Sequence, residues 1–517
     1  MSGEKRFKLS ENAKTALLTV ISTLLFFMLV LQVYKKAGSD AYKKHGSFDS
    51  YTLQALAWRK GEAKLDKNYP HLELAIINRD WLATHDKRDY MAYRETFGDV
   101  NAPIQHVEGN EYYVSFPPVP SVPMLILSYF TGSDTPDNFM SILYVVGAFA
   151  FAILIGRRLG YGCIASLAGG LLSCAASGAF FLCANKFAGG PWFAAQTLSM
   201  FLTMAAFFCM LSKRDLGLYM AFALLALAVG CRPFQIVYFV LLAYVAAKKY
   251  DFKVLKTWKF YIAPALIGGA YMWYNYIRFG SVFEFGHNYL PEFMRAEYSQ
   301  FSLNYVKDNY KIYFKTLPYY KDGQLEFSRY GFTFWVTNVI FILAALAMLL
   351  ATVYFVRMLI RRWCDKKARG GTEALSLPGG GLGTRGFSVF RDTGLVEAVI
   401  LALAGGAVIF LLLMHRTAGG WQFGNRYTVD IVPAALLLIG YCLRPFAGIV
   451  PAAGADNARS GSEPGKKRRV LSDSEFTRVP VTDNYLLIAR GALILLTVQL
   501  ILFGMWLNIY GAFLLFK

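Results

Sequence analysis

Residues 15–33 read TALLTVISTLLFFMLVLQV, a run with no charged side chain. An α-helix rises about 1.5 Å per residue, so this run reaches across the roughly 30 Å hydrocarbon core of a bilayer. Runs of similar length with scarcely a charge recur at Met140–Ile155, Glu397–Met414 and Leu486–Leu507. They dominate the composition: of 517 residues 56% are hydrophobic and only 17% charged, against roughly 25% charged in an average soluble domain. A soluble enzyme, a disordered chain and a fibrous protein are excluded. The sequence is that of a polytopic, all-α membrane protein.

Eleven spans fit the hydropathy: 15–34, 138–156, 162–184, 191–211, 216–231, 234–248, 258–277, 333–356, 394–414, 429–443 and 485–510. Loop charge orients them. With residues 1–14 in the cytoplasm, the linkers 357–392 and 444–482 fall inside, with eight Lys/Arg against three Asp/Glu and seven against four. The large loops 35–118 and 279–332 fall outside and are balanced, twelve against twelve and six against six. That is the positive-inside asymmetry. It also accounts for the net charge of +19 without a nucleic-acid partner, for which no basic soluble module is present. Lys5, Arg6, Lys8 and Lys14 precede the first span with no small-residue cleavage site after it, so a retained signal anchor is expected. The seven cysteines show neither a CxxC pair nor zinc spacing, so no disulfide or metal framework is expected.

The order along the chain is then a first span (15–34), an outer loop with juxtamembrane helices (35–137), a bundle (138–278), a second outer loop (279–332) and C-terminal spans (333–510). The segment Val119–Thr131, led by Pro117-Pro118, is too short to cross and is expected to lie along the interface. Gly, Ser and Thr dominate 368–386, and Ala, Gly and Ser precede Lys466–Arg469, the composition of tethers whose basic run suits anionic lipid headgroups.

The spans are nearly free of ionisable residues, whereas the outer loops collect them, a distribution that suits chemistry at the outer interface more than a path through the bilayer. Four clusters stand out. In HGSFDSY (45–51), Asp49 is placed either as a half-buried general base or as the N-cap of a helix over Thr52–Arg59. His71 and Glu73 put an imidazole and a carboxylate two residues apart, in a segment that also reads as an ordinary solvated loop. EYYVSFPPVP (111–120) leads aromatic residues, Tyr113 among them, into stiff prolines, as a substrate platform or a simple anchor. Arg278 in YNYIRFGS (274–281), and Arg426 with Tyr427 in GGWQFGNRY (419–427), set one guanidinium among aromatics at the outer end of a span. Such a guanidinium grips a phosphate bidentately or snorkels to headgroups.

In this order and on these loop ends, the clusters resemble the GT-C fold of polyprenyl-phosphate-dependent glycosyltransferases, in the protein O-mannosyltransferase and aminoarabinose-transferase branch. Pro117-Pro118 followed by Arg157-Arg158-Leu159-Gly160 is similar to that family's proline-led interfacial helix and basic turn, and Arg426-Tyr427 with Pro433 to its Arg-Tyr…Pro element. The resemblance implies an inverting transferase of the plasma (inner) membrane that moves a sugar from a polyprenyl-phosphate donor to an extracytoplasmic acceptor. Asp49 would be the base, Arg426 and less directly Arg278 the phosphate ligands, and Glu73 and His71 orienting groups. Tyr113 and Tyr427 would contact substrate. Some members use a divalent metal and others none. The sequence departs from the family pattern in lacking an Asp-Glu pair after the first span and in carrying a charged segment at 78–110. A carrier of lipid-linked glycan and a non-catalytic membrane scaffold are the alternatives.

Overall fold

The computed structural model describes residues 10–38, 49–69, 72, 74–84, 109–188, 190–290, 293, 297–368, 394–420, 422–451, 476–478 and 483–514. The candidate residues His71 and Glu73, and most of the linkers 357–392 and 444–482, lie outside the described residues.

The described chain is mostly helical. The elements used below are α1 (Glu11–Lys36), α2 (Ser50–Arg59), β1 (Ala75–Asn78), β2 (Asn110–Tyr113), α3 (Ser121–Thr131), α4 (Asp137–Arg158), α5 (Pro191–Met210), α6 (Asp215–Val229), α7 (Phe239–Lys249), α8 (Ile262–Phe279), α9 (Ile340–Ala368), α10 (Leu395–Met414), α11 (Val432–Cys442) and α12 (Asn484–Leu514). Among the described residues, six helices are long and apolar enough to cross a membrane, or seven if the pair Cys163–Ala175 and Gly178–Ala184, bent by 58°, is one span. The count of eleven is not reached by that measure. The expected spans 216–231, 234–248 and 429–443 form α-helices of 15, 11 and 11 residues, the last two entered through the 3-10 turns Pro233–Tyr238 and Arg426–Ile431. Each of these turns follows or contains polar residues that interrupt the apolar run, and the tighter 3-10 geometry takes over there.

An apolar outside surface makes this a membrane fold. Along α1, Leu17, Val20, Ile21, Leu24, Leu25 and Met28 are all exposed, and α12 exposes Ile488, Leu495 and Leu502. Stripes of that extent need lipid against them. The opposite faces pack inward, where Phe26 of α1 stacks on Phe149 of α4 at 4.5 Å between centroids. Small residues admit the last helix: a Cβ at Gly504 would sit 2.7 Å from the Cβ of Ala176 and 2.9 Å from Val339 Cγ2.

Polar contacts sort the helix ends into two groups. At one end Arg157 binds Glu11 (3.0 Å), Lys248 binds Glu397 (2.6 Å), Lys249 and Lys259 bind Asp215 (2.9 and 2.6 Å), and Arg361 binds Asp483 (3.0 Å). At the other, Asn138 at the start of α4 donates to the Tyr34 hydroxyl at the end of α1 (2.6 Å), and Asn508 donates to the Thr337 carbonyl (2.9 Å).

The loop between α1 and α4 adds a feature the helical reading lacked. β1 and β2 pair antiparallel, with Ala75 opposite Tyr113 and Asn78 opposite Asn110. With α2 they enclose a small core of Ala57, Leu65, Leu74, Ile76, Tyr112 and Val114. Strands of four residues show too few alternations to register in the sequence. The short helix expected within Val119–Thr131 forms as α3, starting two residues later than Val119.

Candidate functional site

The site gathers at the end of the bundle defined by Asn138 and Asn508. Asp49 is 2% exposed and caps α2: its Oδ1 accepts from the Tyr51 amide (3.0 Å) and its Oδ2 from the Thr52 hydroxyl (3.1 Å). An aspartate before Ser-Tyr-Thr is a strong N-cap, because its carboxylate satisfies amides that the first helical turn leaves free. Thr52 then meets Thr135 (2.5 Å), which brings α2 against the start of α4. There Asp137, 4% exposed, faces Asp49 in a carboxyl–carboxyl hydrogen bond. Two carboxyls this close cannot both be ionised, so the pair shares one proton. Burial pushes the Asp49 carboxyl up to about 6, against the opposing pull of the Tyr51 and Thr52 hydrogen bonds.

The sequence reading missed Asp137. It stands one residue before the apolar run that begins at 138, where an acidic residue also reads as ordinary first-turn complement to the helix dipole. The usable signal was its place at the membrane end of a span.

From Asp49 the site continues through Tyr51, whose hydroxyl is within electrostatic reach of Asp49, Cys231 and Arg232. Arg232 is the second missed residue. It follows α6, binds Asp430 through Nε (2.9 Å) and lies over the Tyr427 ring at 4.9 Å. Asp430 is held further by Gln235 Nε2 (3.2 Å) and the Tyr238 hydroxyl (3.3 Å), both donating to its backbone carbonyl.

Arg426 is 7% exposed. Its guanidinium lies over Tyr427 (5.1 Å) and Phe193 (5.5 Å). It has no carboxylate partner among the described residues, and its Nε is buried without a hydrogen bond. The backbone is pinned on both sides: Arg426 N donates to Gln422 Oε1 (3.0 Å), and Gln196 donates to the Arg426 carbonyl (3.1 Å). Gly424, at φ +79°, lets the chain turn beside Thr337, where a Cβ would collide. The backbone is thus held in place while the side chain forms no salt bridge among the described residues, with Asp430 acting on it only at longer range.

Arg278 and Tyr113 belong to a different cluster. Arg278 is 1% exposed, and its donors go to Val114 O (2.8 Å), Asn275 Oδ1 (3.1 Å) and Tyr274 O (3.3 Å). With all three nitrogens engaged, that guanidinium fastens the end of α8 to the small sheet. Tyr113, in β2, gives its hydroxyl to Glu111 (3.1 Å) and packs against Phe279. A cavity of about 260 Å³ opens under Arg278, between Ile77, Arg79, Leu82, Ala83, Phe279 and Tyr289; neither Asp49 nor Arg426 lines it.

No group of three or more metal-ligating side chains forms among the described residues. Asp49 and Asp137 offer two carboxylates, a set that Mg²⁺ accepts when water and a substrate phosphate complete the shell. To hold it they would first give up their shared proton. All seven cysteines are free thiols.

Compared with known proteins, the chain matches no family model, and no curated protein matches it in sequence. Fold and site together define a class: a multi-pass helical membrane protein with a buried acid–arginine site at one end of its bundle.

Proposed function

We propose that the protein is an integral membrane glycosyltransferase of GT-C type. It would take a sugar from a polyprenyl-phosphate donor to an acceptor outside the cytoplasm. The observation that carries this reading is the joining of a buried, proton-sharing carboxyl pair to a buried arginine that no salt bridge engages, at one end of a lipid-facing bundle. Asp49, raised to about 6 by burial, is matched to general-base work near neutral pH. It would accept the proton of an acceptor hydroxyl or amine as that group attacks the anomeric carbon with inversion. The bond to the donor phosphate breaks, and Arg426 answers the charge that develops on the leaving oxygen. Asp137 positions Asp49, and Arg278 enters as the fastening that orients the outer loop. The charge asymmetry of the loops puts this end outside and residues 1–14 in the cytoplasm.

Transport is the competing reading, and a row of buried polar residues on α5 bears on it. Gln196, Thr197, Ser199 and Thr203 are all buried. The row ends at the contact of Thr203 with Gln235 (3.0 Å), and Met204–Met210 is apolar. A row that stops in mid-helix serves a site at one end better than a crossing path.

The test is transfer from a radiolabelled short-chain prenyl-phosphate sugar by the purified protein, with acceptors supplied as a membrane extract. Asp49→Asn should abolish labelling of the extract. Labelling that persists in this variant would remove Asp49 as the base, and movement of intact donor across proteoliposomes without transfer would replace the enzyme with a carrier.

A further inference from the structure

Asn425 is 1% exposed, and neither its amide oxygen nor its amide nitrogen has a hydrogen-bond partner. Its backbone is fixed, since its carbonyl accepts from the Thr428 hydroxyl (2.7 Å). The buried amides of Gln422 and Asn338 nearby are bonded through both oxygen and nitrogen. Beside Asn425 stands the hydroxyl of Tyr313, fully buried, within hydrogen-bonding reach of the amide but without a well-formed bond to it. Asp430 leaves its Oδ1 unpartnered while Oδ2 holds Arg232. A buried polar atom left unpaired costs about 1–3 kcal/mol. Four such atoms in one place are poor packing for stability and a ready-made set of partners for something polar.

We infer that Asn425, Tyr313, Asp430 and Arg232 form the headgroup subsite of the donor, built for a neutral, hydroxyl-bearing sugar. The inference rests on the donor class proposed above and adds its sugar. An amide and a phenol each donate and accept, and a carboxylate oxygen accepts, which matches neighbouring hydroxyls on a ring. The charges are already cancelled, because Arg232 and Asp430 bind each other at 2.9 Å. An amino sugar would bring a cation against Arg232, and a uronate would bring an anion against Asp430. Arg426 remains for phosphate. Both guanidinium groups touch the Tyr427 ring, at 5.1 and 4.9 Å, so the phosphate and sugar subsites adjoin as a glycosyl phosphate requires.

Binding to the full-length protein in detergent tests this without needing the acceptor. The probes are farnesyl phosphate alone and farnesyl phosphate carrying a panel of neutral sugars, a 4-amino sugar or a glucuronate. The best neutral conjugate should bind at least about tenfold tighter than farnesyl phosphate, the scale of one or two well-placed hydrogen bonds. Asn425→Ala should erase that gain and leave farnesyl phosphate binding unchanged. Tyr313→Phe, which removes only an unbonded hydroxyl and so keeps the fold, should reduce the gain. The amino or acidic conjugate binding as tightly as the best neutral one would overturn the inference. So would neutral conjugates no tighter than farnesyl phosphate when the latter still depends on Arg426, an outcome that leaves the transferase reading standing. Failure of every probe to bind would remove the transferase reading and this inference with it.

Discussion

At the residue scale, Asp49 is both a helix cap and the proposed base, and one substitution separates the two roles. Asp49→Asn keeps an oxygen for the Tyr51 amide and ranks beside Asp as an N-cap. Melting should therefore stay within a few tenths of a kcal/mol of the parent while transfer falls by about 10² or more. An equal loss of fold and activity would make Asp49 a cap alone. The pH profile follows from the same carboxyl. The ionised form does the chemistry, so kcat/KM should climb through about pH 6 and level off above it. Stability runs the other way. A carboxyl raised above its unfolded value contributes fully below about 3.9, and that contribution is lost as pH rises through about 6. Asp137→Ala removes a hydrogen bond that favours the charged form of Asp49, so the activity midpoint should move upward; an unmoved midpoint would detach Asp137 from the site. At Arg426, Lys keeps the charge and loses the planar fork. Arg426→Lys should impair transfer at least tenfold if the side chain grips phosphate, and leave it near normal if the side chain only anchors the segment.

At the element scale, the site depends on short pieces between long helices: the cap of α2, the 3-10 turn Arg426–Ile431 and the turn after α6. These hold their positions only if the helices behind them are seated. The seat of α12 is Gly504, packed against Ala176 and Val339 with no room for a larger residue. Close backbone approach at small residues is what holds membrane helices together where lipid supplies no hydrophobic drive. Gly504→Val should cost about 1–3 kcal/mol by overpacking, read as a lower melting temperature in detergent. It should weaken activity only in proportion to the folded fraction. Gly491 on the same helix meets nothing, so Gly491→Ala should be silent in both.

At the scale of the whole molecule, the ion pairs of one end and the acid–arginine site of the other divide the chain into two poles. Cys364 is exposed on α9 near Arg361, at the ion-pair end. Glu62 is exposed just past α2, at the site end. In intact cells a membrane-impermeant maleimide should label a Glu62→Cys variant and spare Cys364, reversing in inside-out vesicles. Labelling of both from one side would break the two-pole arrangement and the outward placement of the site.

What the sequence determined by itself is what depends on composition along the chain. Uncharged runs as long as 15–33 have one stable place, across a bilayer with their backbone bonded internally. Short apolar runs were less decisive, because a 15-residue stretch such as α6 fills a bundle as readily as it meets lipid. Asp49 and Arg426 were legible as candidates because each breaks an apolar context at a span end. Their union with Asp137, Arg232 and Asp430 was not, because these residues lie 88 to 381 positions from Asp49, and only the seating of α2 against the start of α4, and of the 426–431 turn against α5 and Arg232, brings them together. Tertiary structure also separated Arg278 from Arg426, two arginines with the same aromatic surroundings in the sequence. One spends its donors on two backbone carbonyls and the Asn275 side chain, and the other is buried with no salt bridge and an unbonded Nε. That difference lies in the partners each meets across the fold, which local sequence does not carry.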